Sequence, residues 1–303
     1  MPSTPQTSRL RDNLSTLSGR IVSHIAGQPP SLWPGVKAGL APSVVLFLLD
    51  EDRYGRPCII LNKRSQRVVQ PGDLCFPGGS VSPRLDRYLG KCLMFPGSPL
   101  RQWPLWGKWR RYAPQALSQL AFLLAAGLRE GIEEMRINPF RLEFLGPLPP
   151  DRLLVYSRIL FPFALRVRGQ RRFRINWEVE EVLRVPLVDF LNPGNYGKFV
   201  IPNPTPIPGR DAEKTRELLF FNLRHHQPKP EILWGITLRI IMGFLEAFFQ
   251  FTPPELERLP MVNGNLSRPY LLNLRHNGPL IRDDDLRPKR PSASGVDLEK
   301  IIG

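Results

Sequence analysis

Arg129, Glu130, Glu133 and Glu134 stand together at the end of an apolar run, in the stretch AAGLREGIEEMRI. On a helix, positions 126, 130, 133, 134 and 137 share a face. Glu130 then lies within one turn of both Glu133 and Glu134. Like charges at these spacings destabilise an isolated helix by about 0.2–0.5 kcal/mol per pair. Carboxylates near a helix C-terminal end also oppose its macrodipole. A divalent cation would remove that cost, and hard oxygen donors in this number suit Mg²⁺ or Mn²⁺ with several waters retained. Taken alone, the four residues leave a second reading open, a solvated acidic face neutralised by nearby arginines.

The elements around this stretch follow from periodicity. Leu10, Leu14, Leu17, Ile21 and Ile25 recur every three or four residues, a helical stripe that Gly27 and the prolines after it end. PSVVLFLLDEDRYGRPCIILNKRS reads as a β-hairpin. QPGDLCFPGGSV reads as a turn-rich loop around a short strand. Pro114 suits a helix N1 position, and the helix running to Met135 is closed by Asn138-Pro139. Strand-like runs return at LEFLGPL, ILFPFALRV and EVEEVLRVPL, and a last helix is predicted over Leu233 to Phe251.

Two regions depart from these patterns. Residues 83 to 112 are rich in Pro, Gly and Trp, with Trp103, Trp106 and Trp109 beside Lys108, Arg110 and Arg111. Such a segment can stack bases or lie at a membrane interface, or its tryptophans can pack it onto the host domain. Residues 252–303 are rich in Pro, Asn and Arg without periodicity and read as an extended tail. The expected organisation is a helical segment over 1–40, a main domain over 41–251 carrying the insertion at 83–112, and the tail.

The net charge is +15. That balance favours an anionic partner such as a nucleotide, a phosphorylated cofactor, nucleic acid or a membrane surface. The three cysteines form no CxxC pair and the four histidines are scattered, which argues against structural zinc and against a disulfide framework. A reducing, cytoplasmic setting is expected. No secretory leader is apparent, and no apolar stretch reaches the roughly 20 residues a bilayer span needs.

FPGGSV and REGIEE together resemble the Nudix hydrolase signature, G-x5-E-x7-R-E-U-x-E-E-x-G-U, with U a bulky aliphatic residue. Gly79 takes the place of the leading glycine, Arg129-Glu130 that of the R-E pair, and Glu133-Glu134 that of the E-E pair. The flanks are similar to those of the coenzyme A diphosphatase branch. Leu61, Arg64 and Ser65 precede Gly72 and Phe76-Pro77-Gly78-Gly79. Asn176, Glu178 and Val179 lead into Val185-Pro186-Leu187, and Trp234, Gly235 and Thr237 match the closing helix. Ala121 stands at the helical place of the signature's first glutamate, with Asp86 a candidate substitute. Gly131 replaces an aliphatic residue, and Arg136 replaces a glycine in the tight turn ending the helix.

The resemblance implies an α/β fold of Nudix type, an α/β/α sandwich with a mixed β-sheet. It implies metal-dependent hydrolysis of the diphosphate of coenzyme A or acyl-coenzyme A, giving 3′,5′-ADP and (acyl-)phosphopantetheine. Glu130, Glu133, Glu134 and Glu178 would hold Mg²⁺ or Mn²⁺, with Glu181 a lesser candidate. Arg129 would orient the carboxylates, completing a catalytic set of Arg129, Glu130, Glu133 and Glu134. Gly78 and Gly79 would let backbone approach the diphosphate, and Arg64 and Arg67 would bind its phosphates. Another nucleotide substrate (ADP-ribose, a dinucleotide or capped RNA) and a catalytically weakened binding module are the alternatives. Nucleic acid is the less favoured partner.

Overall fold

The computed structural model describes residues 13–29, 40–153, 158–202, 215–223 and 231–263. Leu10, Pro30 and the chain from 264 onward lie outside the described residues. In chain order the elements are α1 (Leu14–Ala26), β1 (Ala41–Glu51), β2 (Pro57–Arg64), β3 (Leu74–Cys75), β4 (Gly78–Ser80), α2 (Pro83–Cys92), α3 (Trp106–Tyr112) and α4 (Pro114–Met135). They continue with β5 (Leu142–Pro147), β6 (Asp151–Leu153), β7 (Arg158–Val167), β8 (Val179–Pro186), α5 (Leu187–Phe190), β9 (Tyr196–Pro202), β10 (Thr215–Leu223), β11 (Glu231–Trp234), α6 (Gly235–Phe249) and β12 (Met261–Asn263).

The fold is α/β with a mixed sheet. β1 is central: it runs antiparallel to β2 and β4 and parallel to β7, and the strand path is β3-β2-β1-β7-β5. β8 joins β2, placing residues 179–186 beside the strand that carries Asn62 and Arg64. A second sheet of four strands has the order β11-β10-β9-β12.

Side-chain alternation along β1 sends neighbours to opposite faces. Leu46 meets α4, where a Cβ on Gly127 would lie 2.8 Å from its Cδ2. Phe47 stacks on the other face against Phe244 of α6, with ring centroids 4.5 Å apart. Helices therefore cover both faces of the sheet, the layering that the resemblance implied. α1 buries Leu14, Leu17, Ile21 and Ile25 in the same core, and Arg20 donates to the carbonyl of Phe248 on α6. The first 40 residues thus contribute a helix to the main core. Among the described residues no helix is long and apolar enough to cross a membrane.

One open alternative is decided and two expectations are corrected. Residues 83–112 form helices α2 and α3, and Trp103, Trp106 and Trp109 are buried. Trp103 Nε1 donates to the carbonyl of Leu145 at 3.0 Å, and its ring meets Trp109 and Phe144 edge-on. These rings are core and not a base-stacking or membrane surface. The last helix starts at Gly235, because Glu231–Trp234 pairs with β10 as a strand. The chain past Phe251 does not go directly into a tail: it makes a 3-10 turn at Leu256–Arg258 and then pairs β12 parallel to β9.

The end of α4 is shaped by two of the departures from the signature. Arg136 caps the helix in the left-handed region, φ 52° and ψ 45°, where the signature has glycine. An aliphatic side chain at Gly131 would have to displace Ile137, since a Cβ would lie 2.8 Å from Ile137 Cδ1 and 3.1 Å from Leu46 Cδ1. Ile137 folds back and fills that space itself. Left-handed backbone costs a non-glycine residue about 1 kcal/mol or more. Arg136→Gly is accordingly predicted to stabilise the fold by about 0.5–1 kcal/mol in urea unfolding, once the extra entropy of an unfolded glycine is subtracted. Trp103→Phe is predicted to destabilise it by about 2–3 kcal/mol by the same measurement, because it strands the buried Leu145 carbonyl and leaves a void.

Candidate functional site

The site is assembled where β4 crosses the end of α4. Gly78 and Gly79 pair with Val45 and Val44 of β1, and Pro77 accepts from the Leu46 N–H at 2.8 Å. Gly78 has φ +146°, and a Cβ there would lie 2.2 Å from the Val44 carbonyl oxygen. A Cβ on Gly79 would lie 2.5 Å from the carboxyl carbon of Glu130. At Gly78 the backbone of β1 excludes any side chain, while at Gly79 a side chain would displace the Glu130 carboxylate. The bare Gly79 backbone is what lets that carboxylate come down onto the strand.

Four residues of the α4 stretch then take different roles. Glu130 and Glu134 turn into a cleft of about 270 Å³, shared with Glu178, Arg64, Asn62 and the two glycines. Glu133 does not. Its side chain is 55% exposed on the open side of the helix, 3.5 Å from Arg129. The helical wheel placed it on the same face as Glu130, but 100° per residue separates its direction from that of Glu134, enough to turn it outward. Arg129 is bonded on three sides. It pairs with Glu130 at 2.9 Å, donates to the Ser80 carbonyl at 3.0 Å, and meets Asp86 through Nε at 2.8 Å. The hydrogen bond to Asp86 is the main reason that its pKa is raised.

Asp86 is fully buried and also accepts from the Ser82 N–H. It is thus a support for Arg129 and not a substitute metal ligand in the cleft. Ala121, where the signature has its first glutamate, is 2% exposed and packs under Gly90 of α2, so that place is closed by apolar contact.

Glu134 is the most perturbed carboxylate. Burial pushes its pKa up to about 8, and repulsion from Glu130 and Glu178 adds to the rise. The Gly78 N–H, 3.3 Å from Oε2, pulls the other way. Asn62 Nδ2 donates to the same oxygen at 3.0 Å. Burial also raises Glu130, against the opposing pull of Arg129.

Glu178 arrives from the loop before β8 and is set by backbone ties. Its N–H donates to Asn176 Oδ1 at 2.8 Å, and Asn176 N–H donates to the Glu134 carbonyl at 2.8 Å. Ser65 N–H donates to the Glu178 carbonyl at 2.8 Å. Arg64 lines the cleft while its Nε donates to the Val69 carbonyl. Arg67 is exposed and is not among the cleft residues, so only one of the two expected phosphate-binding arginines is brought there. Glu181 also lies outside the cleft lining.

Asn62 was missed in the sequence, although period-2 alternation puts it on the same face of β2 as Arg64. It is 1% exposed, and its Oδ1 has no hydrogen-bond partner among the described residues. As they stand, no three His, Cys, Asp or Glu side chains of the described residues are arranged to hold a metal ion. The donor chemistry nevertheless fits a hard cation. Three carboxylates face one cleft with a single guanidinium, and Mg²⁺ binds through one or two carboxylates, keeps several waters and takes further ligands from substrate phosphates.

No protein-family model matches the sequence, and no curated protein matches it. Among solved structures the chain is similar to an Ap4A hydrolase binary complex from C. elegans, at 14% identity over 50% of this chain and 84% of that one, TM-score 0.33. It is similar to a MutT/nudix family protein from Enterococcus faecalis at 12% identity, over 81% of this chain and 73% of that one, TM-score 0.35. The NUDIX domain of Shewanella oneidensis NrtR, complexed with ADP ribose, is similar at 15% identity over 56% and 84%, TM-score 0.30.

The pKa of Glu134 yields a stability prediction for the metal-free protein. The unfolded chain releases this proton near pH 4.5, and the folded chain near pH 8. Between those values the folded state binds the extra proton, so stability falls as pH rises. Melting midpoints measured from pH 5 to 8 should decline in the metal-free protein. Glu134→Gln should flatten the decline, with about 2–4 °C regained at pH 8 for each kcal/mol relieved.

Proposed function

We propose that the chain hydrolyses the diphosphate bond of coenzyme A or acyl-coenzyme A, releasing 3′,5′-ADP and (acyl-)phosphopantetheine. One observation carries this reading: Glu130 and Glu134 from a helix and Glu178 from a distant loop meet Arg64 in one cleft, over backbone that has no Cβ. The choice of coenzyme A rests on the flanking motifs around Arg64-Ser65, Phe76 to Gly79, Val185 to Leu187 and Trp234 to Thr237.

Hydrolysis requires water oxygen to bond one phosphorus while the bridging P–O bond breaks and its electron pair leaves with the departing phosphate. Glu130, Glu134 and Glu178 would hold Mg²⁺ or Mn²⁺, which when bound neutralises the diphosphate and acidifies a water. Arg64 offers a guanidinium to the phosphate oxygens. One cleft carboxylate accepts the proton of the attacking water. Arg129, anchored on Asp86, holds Glu130 in place without facing the reacting atoms. The Gly78-Gly79 backbone leaves room for the diphosphate close to these groups.

The test is product identification after incubation with Mg²⁺ or Mn²⁺ and coenzyme A, acetyl-coenzyme A, ADP-ribose or dinucleotides. Turnover of coenzyme A to 3′,5′-ADP is expected, with Glu134→Gln lowering kcat by about 10²–10⁴. No turnover of any substrate, or turnover indifferent to Glu134→Gln, would overturn the reading. Preference for ADP-ribose would overturn only the coenzyme A assignment.

A further inference from the structure

Residues 168–177 connect β7 to β8 without regular secondary structure, yet they are tied down along their length. Arg168 N–H donates to the Arg141 carbonyl at 2.7 Å, and Arg141 Nη1 donates to the Gly169 carbonyl at 2.9 Å. The Gln170 side chain donates to the Arg136 carbonyl at 2.9 Å and accepts from the Asn138 N–H at 2.8 Å. At the far end Ser65 Oγ donates to the Trp177 carbonyl at 2.7 Å and accepts from the Arg67 N–H at 3.3 Å. One fixed edge therefore runs from residues 136–141, along 170–177, to Ser65 and Arg67. It reaches the cleft at Glu178.

The side chains this edge shows to solvent are unusual for a loop. Trp177 is 57% exposed and Phe140 82% exposed. Arg171, Arg172 and Arg174 are exposed between them, and none of the three has a carboxylate partner among the described residues. The same holds for Arg67 and Arg136 at the two ends. Neighbouring arginines differ: Arg168 pairs with Glu143 at 2.9 Å and Arg184 with Asp50 at 2.9 Å. Exposed cations without a carboxylate partner among the described residues also occur elsewhere, as at Arg84, Arg87, Arg110 and Arg111; those of this edge are set apart by lying on a tied-down extended segment that ends at the cleft.

All five are arginines. A guanidinium forks onto phosphate oxygens and its face stacks on planar rings, which an ammonium does not do. Exposed aromatics interleaved with a basic track are what unpaired bases stack on. A membrane surface would call for a helix with one continuous apolar face. Here Arg171, Arg172 and Arg174 are followed by the exposed Trp177 along an extended chain, with Phe140 exposed on the adjoining segment. Five free guanidinium groups also exceed what a single phosphate monoester engages. We propose that this edge binds single-stranded nucleic acid, an activity separate from the hydrolysis assigned to the cleft and independent of it.

The experiment is fluorescence anisotropy of a labelled oligouridylate of about 12 nucleotides, a length within the usual site size for such tracks, titrated with the full chain at several salt concentrations. The wild-type chain should bind, with log K falling linearly in log salt. The combined Arg171→Ala, Arg172→Ala and Arg174→Ala variant should bind at least about tenfold more weakly and lose about 2 from the magnitude of the salt slope, three phosphate contacts at about 0.7 each. Trp177→Ala should weaken binding about tenfold and Trp177→Phe should restore most of it. Glu134→Gln should bind as the wild type does. Absence of binding, edge variants that bind unchanged, loss of binding in Glu134→Gln, or capture by phosphatidylserine vesicles that the oligouridylate does not compete would each overturn the proposal. Failure of the hydrolysis assay with binding intact would leave it standing.

Discussion

The closeness of α4 to the sheet is the constraint on which the site depends. A helix normally stands off a strand by the depth of the side chains between them. Here Gly127 and Gly131 remove two of those side chains from the helix, and Gly79 removes one from β4. Leu46, Val44 and Ile137 fill what space remains. The Glu130 carboxylate is thereby pressed against the Gly79 backbone, and Glu134 comes within reach of the Gly78 N–H and Asn62. A single methyl group at Gly78 would meet the Val44 carbonyl of β1 and break the strand pairing that sets Gly79 beneath the helix.

That closeness creates an electrostatic problem, and the structure meets it unevenly. Glu130 is balanced by Arg129, which is itself locked by the buried Asp86 of α2. α2 is thus part of the support for the site, and Trp103, farther along the same 83–112 segment, anchors that segment through Leu145 and Phe144 in the core. Glu134 receives only neutral donors, and burial beside two other carboxylates favours its protonated form. Ionising such a buried carboxylate is costly, and perturbed groups of this kind cluster at functional sites.

Much of this was legible in the chain before folding. The apolar stripe of α1, the β1–β2 hairpin, the Pro114 start of α4 and the strands β5, β7 and β8 all follow from periods of 3.6 and 2. The pairing of Phe76 to Gly79 with Arg129 to Glu134 identified the two elements that meet. The buried tryptophans were ambiguous because composition does not say which side of a ring faces water. The strand at Glu231–Trp234 was absorbed into the following helix because a short apolar run carries no period of its own. Asn62 carried no signal beyond its two-residue offset from Arg64.

The sequence by itself determined which groups were available: three carboxylates and an arginine at helical spacing, two glycines where backbone had to pass closely, and a large excess of guanidinium groups. These are properties of residue type and local spacing, which survive any rearrangement of distant parts. Only the tertiary structure decided how they divide. It turned Glu130 and Glu134 inward and Glu133 outward, brought Glu178 across from the loop before β8, buried Asp86 behind Arg129, and left Arg67 and the arginines of 171–174 facing solvent. The reason is that a side chain's neighbours and its dielectric surroundings are set by contacts between segments far apart in the chain, and no local pattern encodes those.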